Sequence, residues 1–132
     1  MAFEKKEKRK NRRFFFTLKQ SISTTLYKTG NSTKPITATL LSLSEGGASF
    51  SLDRKYLPII GKGDHFILEP GKDTEPIISL KGAEVEIQHI QNYHIYINIC
   101  CGCKFTKIDE VNRKKIQTWI KHRLKEDNRK NH

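Results

Sequence analysis

The stretch Ser42-Leu43-Ser44-Glu45-Gly46-Gly47-Ala48 forms a glycine-rich turn between two apolar runs, 36–43 and 48–52. Apolar and small polar side chains alternate in the second run, which is typical of a β-strand with one buried face. The hydroxyls of Ser42 and Ser44 are two residues apart, so both project from the same side of an extended strand. The stretch therefore predicts two consecutive strands joined by a tight turn, with a pair of small polar groups beside that turn.

The strand pattern continues on both sides of this turn at hairpin spacing. Alternation and turn residues together predict six strands, over residues 17–28, 36–43, 48–52, 65–69, 77–90 and 93–105. In the fifth segment the apolar positions change from even to odd numbers at Gly82, which predicts a bulge that bends the strand. In the sixth segment every odd position from Tyr93 to Phe105 is apolar or cysteine, and this stripe is predicted to face inward.

A single amphipathic helix follows the strands. Asp109 is placed to cap a helix over 110–125, whose opposite face is basic and whose apolar face contains Val111, Ile116, Trp119, Ile120 and Leu124. The predicted fold is mainly β, a six-stranded antiparallel β-barrel with one C-terminal α-helix. Residues 1–13 are predicted to be a flexible basic arm, 14–108 the barrel, 109–125 the helix and 126–132 a frayed tail.

The positive charge of the chain is concentrated at its two ends. The net charge is +11, of which residues 1–13 carry +5 and residues 111–132 carry +6, whereas 14–110 is neutral. A protein whose folded surface lies along nucleic acid is usually basic over that surface, so the neutral middle argues against this class. No segment approaches the roughly 20 apolar residues of a membrane span, and a cytoplasmic location is expected.

Three cysteines lie close together in the sixth predicted strand. Cys100, Cys101 and Cys103 are an odd number and do not form a disulfide framework. Their CxxC spacing allows a zinc or redox site with His89 or His94, but Cys101 and Cys103 continue the inward stripe, which favours simple packing. No pair of carboxylates and no Ser-His-Asp order is present, so neither an enzyme nor a metal protein is predicted.

A basic run, Arg9-Lys10-Asn11-Arg12-Arg13, lies upstream of the turn. In this order the two stretches resemble the signatures of the PilZ domain, an RxxxR arm followed by a (D/N)xSxxG strand-turn. Arg9 and Arg13 match the arm, and Ser44 and Gly47 match the turn. The position that the family fills with Asp or Asn is Ser42 in this chain. The resemblance covers about residues 9–124 and includes the fold, a six-stranded barrel followed by a C-terminal helix.

The resemblance implies a receptor for cyclic di-GMP that has no catalytic activity and no cofactor. Arg9 and Arg13 are then expected to clamp the ligand, because a guanidinium matches phosphate oxygens or the guanine O6 and N7 two at a time. Arg12 is a lesser candidate on the same arm. The turn is expected to contribute hydroxyls from Ser42 and Ser44.

The resemblance gives the turn glycine a separate role. Gly47 is expected to supply a positive φ and a close backbone approach to the ligand. Binding would fold the arm over the barrel rim and change a surface that an unidentified partner protein reads.

The sequence is compatible with two other functions. The first is a PilZ-like adaptor that no longer binds cyclic di-GMP and acts through protein contacts alone. The second is a basic binder of nucleic acid or of a membrane surface that uses the charged ends of the chain. Ionic strength separates these classes, because binding to a polyanion weakens steeply with salt while a compact dinucleotide site weakens less.

Overall fold

A computed structural model describes residues 12–17, 19–30, 34–93 and 97–130. Strands and short turns of 3-10 helix make up most of this part of the chain, and one long helix follows them. The strands are β1 (Arg13–Phe15), β2 (Ser23–Lys28), β3 (Ile36–Ser44), β4 (Gly47–Asp53), β5 (His65–Pro70), β6 (Glu84–Gln91) and β7 (Asn98–Lys107). The helix α1 spans Glu110–Lys130, and 3-10 turns lie at Arg54–Ile59 and Ile77–Leu80.

Six of the strands close into an antiparallel barrel, as predicted. The hydrogen-bonded order is β1-β3-β2-β5-β6-β7-β4, and a further pairing between β3 and β4 closes the ring. The unforeseen strand β1 lies outside this ring and pairs with the end of β3. The barrel is filled by the inward residues of its strands, among them Leu40, Phe50, Phe66, Val85 and Ile99, each at most 2% exposed. Within the described ranges, no helix is both long and apolar enough to span a membrane.

Helix α1 packs against the barrel through the predicted apolar face, except that Val111 of that face is 61% exposed. Ile116 and Ile120 are buried in the common core. Trp119 lies in edge-to-face contact with Phe14 of β1, at 5.0 Å between ring centroids, and it stacks on Phe16. Aromatic pairs in these geometries contribute about 0.5–1.5 kcal/mol beyond the area that they bury. The aromatic cluster therefore ties β1 to α1.

The predicted fifth strand, 77–90, is wrong in its first part. Ile77–Leu80 forms a 3-10 turn, and β6 begins only at Glu84. Gly82 has a φ of +80°, so the change of apolar phase marks the boundary between turn and strand rather than a bulge. Leu80 is buried as its even position indicates, but Ile77 rather than Ile78 accompanies it into the core, because a 3-10 turn does not alternate its side chains as a strand does. Bulges do occur elsewhere, including one in β6 between Ile87 and His89.

The inward stripe of the sixth predicted strand is shorter than the sequence indicates. Ile99 and Cys101 are buried, but Tyr93 is 58% and Ile97 82% exposed, because β7 begins at Asn98. The first predicted strand, 17–28, is likewise shorter, since β2 begins at Ser23. The helix continues to Lys130, beyond residue 125.

Candidate ligand cleft

Strand β1 brings the end of the basic arm beside the turn. In the antiparallel pairing Arg13 lies opposite Ser44, and Phe15 lies opposite Ser42. Directly opposed residues project from the same face of a sheet, so Arg13 and Phe15 share a face with the two serines. Phe14 alternates to the other face, where it packs on α1. The register therefore brings one arginine of the RxxxR motif to the strand-turn motif.

A row of five residues runs across five neighbouring strands on this face. The registers of β1, β3, β4, β7 and β6 align Phe15, Ser42, Ser49, Gly102 and His89 in that order. The three central members are small, and both end members carry rings. Phe15 is 63% exposed, and His89 is also exposed. The surface is therefore depressed at the small central residues and raised at the two ring-bearing ends.

A cleft of about 350 Å³ opens along this row. Its walls come from β1, β4, β6 and β7 and from the bulged part of β3. The residues that line it are Arg13, Phe15, Phe16, Leu41, Ser49, His89, Gln91, Cys100, Cys101 and Gly102. An arginine, a hydroxyl, an amide and an imidazole thus meet apolar rings in one depression. Such a mixture suits a ligand with both flat aromatic and charged parts.

Ser42 lies beneath the cleft surface rather than on it. The residue is 0% exposed, and its Oγ lies 2.5 Å from the Oγ of Ser49 on the neighbouring strand. Ser49 is half-buried and lines the cleft. The hydroxyl that faces the cleft is therefore that of Ser49, with Ser42 as its partner from behind.

Ser44 and Gly47 hold the turn itself together. The Oγ of Ser44 accepts a hydrogen bond from the Gly47 amide at 3.1 Å and donates to the Gly47 carbonyl at 3.2 Å. The predicted positive φ at Gly47 is wrong, because among described glycines only Gly30, Gly63 and Gly82 adopt one. The residue is needed for a different close approach. A Cβ at Gly47 would lie 2.1 Å from the carbonyl oxygen of Cys103 on β7.

The arm residues that the sequence singles out differ in how far they can be placed. Arg9 lies outside the described residues. Arg12 is exposed just before β1, and Arg13 is half-buried at the edge of the cleft. The motif spacing does not indicate Ser49 or His89, both of which line the cleft. The polar alternation of β4 was the available signal for Ser49, but His89 depends on a bulged register that spacing alone does not reveal.

Cys100 and Cys101 of β7 line the floor of the cleft, and Cys103 follows them on the same strand. Burial, with a smaller effect of the neighbouring thiol, raises the pKa of Cys101 to about 11 and that of Cys103 to about 12. Both are therefore neutral thiols near pH 7 and weak nucleophiles. In the described part of the chain, no group of three His, Cys, Asp or Glu residues is arranged to hold a metal ion. The packing interpretation of Cys101 agrees with its 2% exposure.

An ion-pair network links the turn to the start of the helix. Arg113 of α1 donates to the carboxylate of Glu45 in the turn and to that of Glu110 on its own helix. The hydrogen bond from Arg113 lowers the pKa of Glu110, and the contact with Glu110 raises the pKa of Arg113. The turn beside the cleft is thus fixed from the helix side by charge.

Comparison with known proteins gives a family and a set of structural neighbours. The model of the PilZ domain family matches residues 7–122. The comparison with curated proteins gives no match.

Among solved structures, the K. pneumonia MrkH complex with c-di-GMP superposes with a TM-score of 0.71 at 12% identity, over 93% of this chain and 55% of that one. The PilZ domain of YcgR from Escherichia coli, with c-di-GMP, gives 0.68 at 15% identity, over 93% and 96%. The Bacillus subtilis inhibitor of motility, MotI, gives 0.65 at 14% identity, over 89% and 52%. The chain thus spans about half the length of MrkH and MotI.

Proposed function

Because the chain belongs to the PilZ domain family, we propose that it is a receptor for cyclic di-GMP and has no catalytic activity of its own. The observation that carries the proposal is the register of β1, which places Arg13 beside the strand-turn motif at the edge of a polar and aromatic cleft. Two neighbouring folds, MrkH and the YcgR domain, are described in complex with c-di-GMP.

The cleft supplies the kinds of groups that this ligand requires. Cyclic di-GMP carries two phosphates and two guanines, and Arg13 offers a planar fork of donors that pairs with either. Arg9 and Arg12 belong to the same arm and would add positive charge to the site. Phe15 offers an exposed ring on which a base could stack. Ser44 and Gly47 contribute by fixing the turn on which β3 and β4 depend.

Ligand binding at Arg13 would be transmitted to the helix through β1. Arg13 and Phe14 are consecutive in this strand, and Phe14 packs on Trp119 of α1. The guanidinium of Arg123 lies 5.2 Å from the Trp119 ring centroid and 6.0 Å from that of Phe14. A shift of β1 on binding would therefore reposition a basic, solvent-facing helix. A partner protein that contacts α1 would sense that shift.

The direct test is calorimetric titration of the purified protein with cyclic di-GMP, with GTP as the control nucleotide. We expect saturable binding of cyclic di-GMP that persists at moderate salt, and no comparable heat with GTP. Equal heats for both nucleotides, or binding that disappears steeply with added salt, would instead indicate a general polyanion surface. The fitted stoichiometry would distinguish one bound molecule from a stacked pair.

A second candidate function is an adaptor that no longer binds the nucleotide. One observation favours it: the position of the family's Asp or Asn is occupied by Ser42, which is fully buried and already hydrogen-bonded. In that case cyclic di-GMP would give no heat up to about a hundred micromolar, an affinity weaker than about −5.5 kcal/mol. The protein would then act through partners that contact α1.

A further inference from the structure

The inference concerns the groups that recognise the ligand, and it rests on the proposed function. We propose that Ser49 and His89 are the residues that select guanine in this cleft, and that Ser42 acts as a positioning residue behind Ser49. All three are held by strand pairings within the closed barrel.

The position of His89 follows from the glycine beside it. His89 on β6 lies opposite Gly102 on β7, and a Cβ added at Gly102 would be 2.3 Å from the Nε2 of His89. The imidazole therefore lies over the bare backbone of β7, in the space that any other residue would fill. Ser49 lies opposite Gly102 from the other side. The ring of His89 thus leans across β7 in the direction of Ser49.

Two polar groups consequently converge on the low centre of the cleft. Ser49 and His89 stand two strand spacings apart, about 10 Å between backbones, with only a glycine between them. A hydroxyl both donates and accepts, and a neutral imidazole has one donor and one acceptor nitrogen. The edge of guanine presents acceptors at O6 and N7 and donors at N1 and N2, so it matches this pair. Adenine presents an amino donor where guanine has O6, and it lacks the N2 amino group.

The buried serine explains how this chain manages without the family's acidic or amide residue. Ser42 is fully buried and sits within hydrogen-bonding distance of Ser49, so it restricts the direction in which the Ser49 hydroxyl points. Its own hydroxyl is satisfied by that contact and has no exposed surface with which to meet a ligand. The Asp or Asn of the family would contact the ligand from β3. In this chain Ser49 on the neighbouring strand β4 makes that contact instead.

The test is calorimetric titration of wild type, Ser49→Ala and His89→Ala with cyclic di-GMP and with cyclic di-AMP. We expect each substitution to weaken cyclic di-GMP binding by about 10-fold, since a lost polar contact at such a site costs about 5- to 150-fold. Binding of cyclic di-AMP should change by less than about 2-fold. Ser51→Ala is the matched control, because Ser51 lies two residues along the same strand, is half-buried like Ser49 and does not line the cleft.

The double variant Ser42→Ala/Ser49→Ala separates positioning from contact. Removing both hydroxyls leaves no unpaired buried group, so the double variant should fold at least as well as Ser49→Ala. If Ser42 acts only through Ser49, the double variant binds as weakly as Ser49→Ala and no more weakly. An additional loss of affinity in the double variant would show that Ser42 contacts the ligand itself and would overturn that part of the proposal.

The outcomes distinguish this inference from the proposed function. Wild-type binding together with unchanged affinity in folded Ser49→Ala and His89→Ala would overturn the inference alone. Equal losses for both nucleotides would show that the two residues hold the ligand without selecting guanine, which also overturns it. Absence of wild-type binding would overturn the proposed function, and the inference with it.

Discussion

Arg113, in the first turn of α1, bridges the carboxylate of Glu110 on its own helix and that of Glu45 in the turn between β3 and β4. The contact between Arg113 and Glu45 joins residues that are 68 positions apart in sequence. A helix residue therefore helps to fix the turn beside the cleft. Part of each side chain remains in water, so the link depends on ionic strength.

Replacement of Arg113 by alanine should release the turn from the helix. We expect a decrease in the thermal midpoint of about 1–3 °C at low salt, because the bridge is partly exposed, and a smaller decrease in about 1 M salt. Thermal unfolding followed by circular dichroism at both salt concentrations checks this. Lys114→Ala, at an exposed neighbouring position, is the control. A decrease that is the same at both salt concentrations would indicate lost packing rather than lost charge.

Replacement of Arg13 by alanine should separate binding from folding. Loss of a charge-assisted contact to the ligand is expected to weaken cyclic di-GMP binding by about 10- to 150-fold. The thermal midpoint of the free protein should change little, because β1 is held mainly by its backbone pairing and by Phe14. Lys81→Ala, at an exposed site away from the cleft, should leave both quantities unchanged. A large loss of stability in Arg13→Ala would make Arg13 a structural residue.

Replacement of Gly47 by alanine should destabilise the barrel at the turn. The new Cβ would lie 2.1 Å from a carbonyl oxygen on β7, so the two strands must separate. We expect the free energy of unfolding to fall by about 1–3 kcal/mol, the usual cost of overpacking, measured by denaturant titration. The matched control is Gly61→Ala, because a Cβ there meets only Asp64, at 3.9 Å, and should cost almost nothing. Equal stability of the two variants would contradict the close strand approach.

Replacement of Trp119 by alanine should loosen both the helix and β1. The ring contacts Phe14, Phe16 and Arg123, and we expect its loss to lower the free energy of unfolding by about 2–4 kcal/mol. Val111→Ala on the same helix, at a position 61% exposed, should cost less than about 0.5 kcal/mol. Hydrogen exchange of the β1 amides should accelerate in Trp119→Ala. Unchanged exchange in β1 would mean that the aromatic cluster does not hold the strand.

The thiol of Cys101 should be unreactive until the protein unfolds. Burial raises the pKa of Cys101 to about 11, so the thiolate is scarce at pH 8 and the side chain is inaccessible. Since the folded pKa lies above the unfolded value, this group's contribution to stability is complete below about pH 9 and is lost as pH rises toward 11. Alkylation followed by peptide mass spectrometry should label Cys100 before Cys101. Rapid labelling of Cys101 in the folded protein would show that the cleft floor opens.

The sequence by itself determined the closed barrel, the single amphipathic helix and the family. Local patterns are enough for this: apolar residues alternate in 36–43 and 48–52, and Ile116 and Ile120 are spaced by one helical turn. Such patterns depend only on the strand or helix itself and not on what it packs against. The same patterns wrongly assign residues 77–80 to a strand. A short run of buried apolar residues has the same sequence pattern in a strand and in a 3-10 turn.

Only the tertiary structure decided which residues meet in the cleft. The row from Phe15 to His89 depends on four pairings and two bulges, and a slip of one residue in any register would turn the next side chain to the opposite face. The burial of Ser42 and the exposure of Ser49 follow from that register and not from residue type. Strand pairing is a relation between distant segments, and its register is fixed by the packed core as a whole, which is why local spacing indicated Ser42 while the fold places Ser49 in the cleft.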